Sequence, residues 1–152
     1  MIIRTQQDKQ DCIDKINRLT LDEPWEVKAD IYKPKRSTAM NSLLYAWYSE
    51  IAKTTGEGIE HTRGYLKWEY GVPILLARGE VEFDTLINTI VNSMQYEKII
   101  DLFGTDTIAI SSAMKVSEML DYLTHIEQYA FKRQIPLART EDYDYAFTGK
   151  HK

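Results

Sequence analysis

Apolar residues in this chain recur mostly at three- and four-residue steps, the spacing of helices with one buried face, and in a few short stretches they alternate with polar residues as strands do. Met1 to Thr5 reads as a short strand and Asp8 to Leu19 as an amphipathic helix. Trp25, Val27, Ala29 and Ile31 alternate with Glu26, Lys28, Asp30 and Tyr32, which predicts a half-buried strand that Pro34 ends. Ser37 is a good N-cap for a helix running to about Lys53. Its buried face is Met40, Leu44, Trp47, Tyr48 and Ile51, and a more polar stripe carries Ser37, Asn41 and Tyr45. Gly56 and Gly58 close it.

A helix over Ile59 to Tyr70 follows, stopped by Gly71 and Pro73; Gly64 inside it costs about 1 kcal/mol relative to alanine. Phe83, Leu86, Ile87, Ile90, Val91 and Met94 trace a strong helical stripe with Glu82 and Asp84 in its first turn. Tyr96 to Phe103 continues it or forms a short helix of its own before Gly104. Thr107 to Ser111 is a β-like run, and Val116, Met119, Leu120, Leu123, Ile126 and Ala130 mark a long last helix ending near Ile135-Pro136. The expectation is one helix-rich α+β domain with a small sheet, spanning residues 1–152, with a polar and aromatic tail from about 138 that carries Tyr143, Tyr145 and Phe147.

Composition narrows the function classes. The 152 residues, 43% apolar and 28% charged, suit one globular domain with its own core. No run approaches the roughly 18 apolar residues of a membrane span, and the first five residues are too short an apolar start for a signal peptide. Cys12 is the sole cysteine, which excludes an internal disulfide and fits a reducing compartment. Its neighbours Ile13, Ile16 and Leu19 point to a packed thiol rather than a reactive one. A net charge of −4 counts against a protein that coats DNA indiscriminately, so any DNA contact must draw on cations gathered on one face.

Such a gathering exists. Lys33, Lys35 and Arg36 stand at the start of the helix after Pro34, and Lys28 shares the outward face of the preceding strand. Helix starts usually collect acids, because their unpaired N–H groups and macrodipole are positive; cations there suit a bound anion such as a nucleic-acid backbone. The plainer reading is a solvated loop that keeps a sheet edge from aggregating. Arg63 and Lys67, four residues apart with Tyr65 and Trp68 nearby, form a second patch of cations among aromatics, as single-stranded nucleic acid requires. His61 lies beside Glu57 and Glu60, but no metal-ligand spacing surrounds it. There is no Gly-rich phosphate loop, nucleophile elbow or Cys–His pairing of recognisable spacing. The scattered acids Asp84, Asp101, Asp106, Asp121, Glu141 and Asp142 read as solvated faces, although a two-metal nuclease needs no contiguous motif.

Arg36-Ser37-x-x-Met40-Asn41 followed by Leu44-Tyr45-Ala46-Trp47 resembles the R-S-x-x-Q-N pattern and aromatic helix of the NinB (Orf) family of bacteriophage recombination proteins. The resemblance runs on through His61 to Lys67, Ser111-Ser112, the Val116 to Ala130 stretch, Ile135-Pro136-Leu137 and Glu141-Asp142-Tyr143, about 110 residues of short matches in order. It implies an α+β homodimer that binds single-stranded DNA, contacts the host single-strand-binding protein and helps load a recombinase in the bacterial cytoplasm. On this reading there is no catalytic residue, metal, cofactor or membrane. Arg36 and Asn41 match the family pattern directly, and Arg63 and Lys67 join them from the residue reading, with Lys28, Lys33 and Lys35. The family glutamine is Met40 here, the third helical residue if Ser37 caps the helix, so half of a capping box worth about 0.5–1 kcal/mol is lost. The stretch from Glu80 to Phe103 is also more helical in pattern than the strands the family would place there. Two other readings use the same residues: an adaptor that docks an acidic host factor on its basic patch, and a metal-dependent nuclease.

Overall fold

Helices make up all the regular structure of the described residues, so the expected α+β fold with a small sheet is corrected to all-α. The computed structural model describes residues 1, 3–29 and 36–149, with the backbone alone at 36 and 141. Among these described residues are eight α-helices, one π turn and one 3-10 turn. None of the predicted strands is present among the described residues. Thr5 caps a helix instead of ending a strand. Residues 25–29 are irregular, with Trp25 and Val27 57% and 60% exposed, and the Trp25 indole donates to the Thr20 carbonyl at 2.8 Å. Alternation makes a strand only where a neighbour completes the ladder, and there is no strand among the described residues to do so. Residues 30–32 of that prediction lie outside the described residues. Thr107 to Ile110 is a series of bends leading into a 3-10 turn at Ser111–Ala113.

The chain divides into two units, Met1–Pro34 and Lys35–Lys152. In the first, α1 (Gln6–Asn17) starts with a capping box: Asp8 N–H donates to Thr5 Oγ1, and Asp8 Oδ2 accepts from the Thr5 N–H at 2.8 Å. The Arg4 and Thr5 amides hold the Asp8 carboxyl below its usual range. No residue of α1 is buried, and Cys12 is half-buried.

The second unit is built on α2 (Arg36–Thr55), and every residue of its predicted apolar face is buried. Ser37 lies within its first turn, not at a cap, and Met40 is 0% exposed. Met40 is thus a core residue and the capping-box argument lapses; a glutamine there would bury an amide needing partners. Gly56, at φ +77°, ends α2. α3 (Ile59–Leu66), the π turn (Lys67–Gly71) and α4 (Val72–Leu76) then run on without a break. Gly71 and Pro73 do not stop this helix: the Val72 N–H reaches back five residues to the Lys67 carbonyl, and Pro73 sits in the first turn of α4, where its missing N–H is tolerated.

α5 (Val81–Ser93) and α6 (Tyr96–Gly104) are separate helices, and α7 (Val116–Lys132) is not the last. It ends in a Schellman turn, with Gln134 at φ +57° and the Ile135 N–H donating to the Ala130 carbonyl at 2.9 Å. The tail then forms α8 (Glu141–Thr148), whose Tyr143 and Phe147 rings lie 6.2 and 6.3 Å from that of Trp47. One apolar core joins α2, α7 and α8; a second gathers Val72, Leu75, Ile87, Ile90, Ile99 and Phe103. α3 and α6 meet through glycines: a Cβ on Gly64 would collide with the Ile100 carbonyl, and one on Gly104 would stand 2.5 Å from the Glu60 carbonyl.

Candidate nucleic-acid interface

The helical register of α2 sends Met40 and Leu44 inward and leaves Ser37, Asn41 and Tyr45 exposed on the adjoining stripe. Two further segments meet that stripe: the junction of α3 with the π turn, carrying Arg63 and Lys67, and the stretch after α6 with Asp106, Ser111 and Ser112. Asn41, Tyr45, Lys67, Asp106 and Ser111 line a cleft of about 270 Å³. A neighbouring cleft of about 290 Å³ is lined by Ser37, Met40, Asn41, Ser111, Ser112 and Met114. Asn41, Ser111 and Ser112 border both. Asn41 offers two donors and an acceptor there, and the serines offer hydroxyls, the equipment for contacts to phosphates, sugars and base edges.

One carboxylate partly offsets two cations at the cleft. Arg63 Nη2 meets Asp106 Oδ1 at 2.7 Å, and Lys67 Nζ lies 3.3 Å from both that oxygen and the Thr105 carbonyl oxygen. Lys67 is 2% exposed, whereas the Asp106 side chain is 76% exposed, so the pair reaches solvent from the carboxylate side. Burial, followed by the nearby Arg63 guanidinium, lowers the Lys67 ammonium below its usual range despite the pull of Asp106. The Asp106 carboxyl is in turn held low, mainly by Lys67 and then by Arg63.

The predicted site residues fare differently. Asn41 and Arg63 border the stripe, and Lys67 forms the cleft floor rather than a free surface cation. Tyr65 and Trp68 do not accompany Arg63: they pack on Tyr129 and Phe103, with ring centres 5.7 and 5.2 Å away. The aromatic beside Arg63 is Tyr45, whose ring centre is 5.5 Å from the guanidinium carbon. Lys28 belongs to the first unit, in the irregular segment, and pairs with Glu26 at 2.9 Å. Lys33, Lys35 and the Arg36 side chain lie outside the described residues. Asp106 was not singled out by the sequence, because nothing in its spacing ties it to positions 63 and 67.

His61 stands between Glu57 and Glu97, 3.4 and 3.7 Å away. Among the described residues no group of three or more His, Cys, Asp or Glu is arranged to hold a metal ion, and no helix is long and apolar enough to cross a membrane. The chain matches no family model, no curated protein and no solved structure.

Proposed function

We propose that the chain is a single-stranded-DNA-binding protein that acts without catalysis, a phage recombination mediator of the NinB kind. One observation supports this reading above the others. Segments far apart in sequence that carry the resemblance, Ser37 to Tyr45, Lys67 and Ser111-Ser112, border one pair of adjoining clefts that mix polar and apolar side chains. The homodimer, the host single-strand-binding protein, the recombinase and the bacterial cytoplasm follow from the resemblance and belong to the same proposal.

Fluorescence anisotropy with single- and double-stranded oligonucleotides at two salt concentrations tests it. The expected result is preference for the single strand, with affinity falling steeply as salt rises. Asn41→Leu weakens binding, and Arg36→Glu flattens the salt slope by about 1. A folded protein that binds neither oligonucleotide at low salt overturns the proposal.

A second reading has its own support. The Arg63–Lys67 pair already holds a carboxylate, that of Asp106, and an acidic partner segment presents the same group. A host protein retained after nuclease treatment, and released by Asn41→Leu together with Arg36→Glu, favours the adaptor.

A further inference from the structure

Phe131, in the last turn of α7, is 83% exposed, an unusual position for a phenylalanine in a helix that buries Met119, Tyr122, Leu123, Ile126 and Ala130. It follows Ala130 and so sits about 100° round the helix from that buried face, where core packing gives it no role. It forms one wall of a cleft of about 340 Å³. Across the cleft stands Tyr143, with the Arg139 guanidinium carbon 4.7 Å from its ring centre. Glu127, Gln128 and Lys132 complete the rim. Just past the end of α7, the Arg133 guanidinium carbon lies 3.9 Å from the Tyr129 ring centre.

Cations at a helix C-terminus have a structural reason, since they offset the negative end of the macrodipole. That reason does not extend to an exposed phenylalanine among them. Of the charged residues lining the cleft, Lys132 and Arg139 face one carboxylate, Glu127, which accepts the Tyr143 hydroxyl at 2.8 Å. The pocket therefore combines one open π surface, the Phe131 ring, with a rim of two cations and one carboxylate; the Tyr143 ring is packed against Phe147 and covered by Arg139.

We infer that this cleft is a stacking site for an unpaired base of single-stranded nucleic acid, separate from the Asn41 cleft. The base lies against the Phe131 ring, and Lys132, Arg133 and Arg139 meet the flanking phosphates. The open phenylalanine face, with the Arg139 guanidinium plane beside it, suits a base, which has a π face, better than the carboxylates of an acidic peptide, which need donors alone. The inference rests on the single-stranded-DNA reading but uses none of its residues.

Anisotropy with a labelled oligothymidylate and an abasic oligonucleotide of the same length separates the two sites. Phe131→Ala is expected to weaken oligothymidylate binding roughly 5- to 150-fold and to leave the abasic strand unaffected, with Phe131→Trp restoring affinity. Because the side chain is exposed, both variants keep the fold, which circular dichroism checks. Unchanged affinity in Phe131→Ala, or an equal loss on the abasic strand, overturns the site. So does a polyglutamate peptide that displaces oligothymidylate at matched charge. Loss in Asn41→Leu with none in Phe131→Ala leaves the first cleft standing alone; the converse leaves only this one.

Discussion

The hydroxyls of Tyr48 and Tyr122 meet at 2.8 Å in the interior, each the other's hydrogen-bond partner, with 1% and 0% of the two residues exposed. Removing one hydroxyl strands the other in an apolar site. Tyr48→Phe is expected to cost roughly 1–3 kcal/mol in urea unfolding. The double replacement Tyr48→Phe with Tyr122→Phe is expected to recover most of that loss, so the two effects are far from additive.

The same pair sets a limit at high pH. Burial raises both phenols well above their usual value of 10.0. Unfolded phenols ionise from about pH 10, so above that pH the unfolded chain binds fewer protons than the folded one and stability falls as pH rises. Phenolate absorbance in an alkaline titration is expected to reach its full tyrosine count only when far-ultraviolet dichroism is lost. Complete ionisation with the helical signal intact would contradict this.

Gly64 sits where α3 touches α6, and a Cβ there collides with backbone, which cannot swing aside as a flexible side chain can. Gly64→Ala is expected to destabilise by about 1–3 kcal/mol even though alanine is the better helix former by about 1 kcal/mol. Gly58→Ala is the control: a Cβ there meets nothing within 4 Å, and its expected cost is only that of exchanging the N-cap glycine of α3, at most about 1 kcal/mol. Thermal unfolding of the two variants separates close approach from propensity.

Arg78 grips Glu118 through Nε at 2.7 Å and Nη2 at 2.5 Å, and the Lys115 N–H adds a bond at 2.8 Å to the same carboxylate. The Arg78 bonds foremost hold the Glu118 carboxyl down at about 2 from a usual 4.5. Its stabilising contribution is complete above about pH 4.5 and is lost as pH falls towards 2. Glu118→Gln is expected to cost about 1.5–3 kcal/mol at pH 7, with the gap to the natural protein closing across that acid window. A gap that persists at pH 2 would refute this.

Asp106 partly offsets two cations from a position that is itself mostly in water. Solvent screening keeps the stabilising effect small, so Asp106→Asn is expected to cost about 1 kcal/mol. The same change leaves Arg63 and Lys67 without their carboxylate and makes the cleft more positive. On the single-stranded-DNA reading, oligonucleotide affinity rises and its salt slope steepens in the less stable variant, which anisotropy and urea unfolding measure side by side.

Periodicity predicted the inside of this protein better than its chemistry. Met40, Leu44, Trp47, Tyr48 and Ile51 are buried as their spacing requires, because one helix face can be read without knowing what covers it. Trp25 and Val27 misled because a strand depends on a neighbour that a local pattern does not reveal. Lys67 misled for a related reason. Its four-residue step from Arg63 suggested a shared surface, whereas the π turn that begins at Lys67 and the Asp106 loop enclose it. Gly71 and Pro73 read as a stop signal because sequence rules score an α-turn, and this turn is wider. Phe131 did carry a signal, being an aromatic placed off the apolar stripe of its own helix.

The wide turn at Lys67–Gly71 acts as a change of phase in an otherwise continuous rod from Ile59 to Leu76. Ahead of it, the rod presents Gly64 to α6. Behind it, Val72 and Leu75 face the second core. A single residue in excess of the α-helical count lets one rod address two cores that a uniform helix could not serve together. Deleting any residue between 67 and 71 would bring the rod back into step and swing Val72 and Leu75 by about 100°, away from the core they fill.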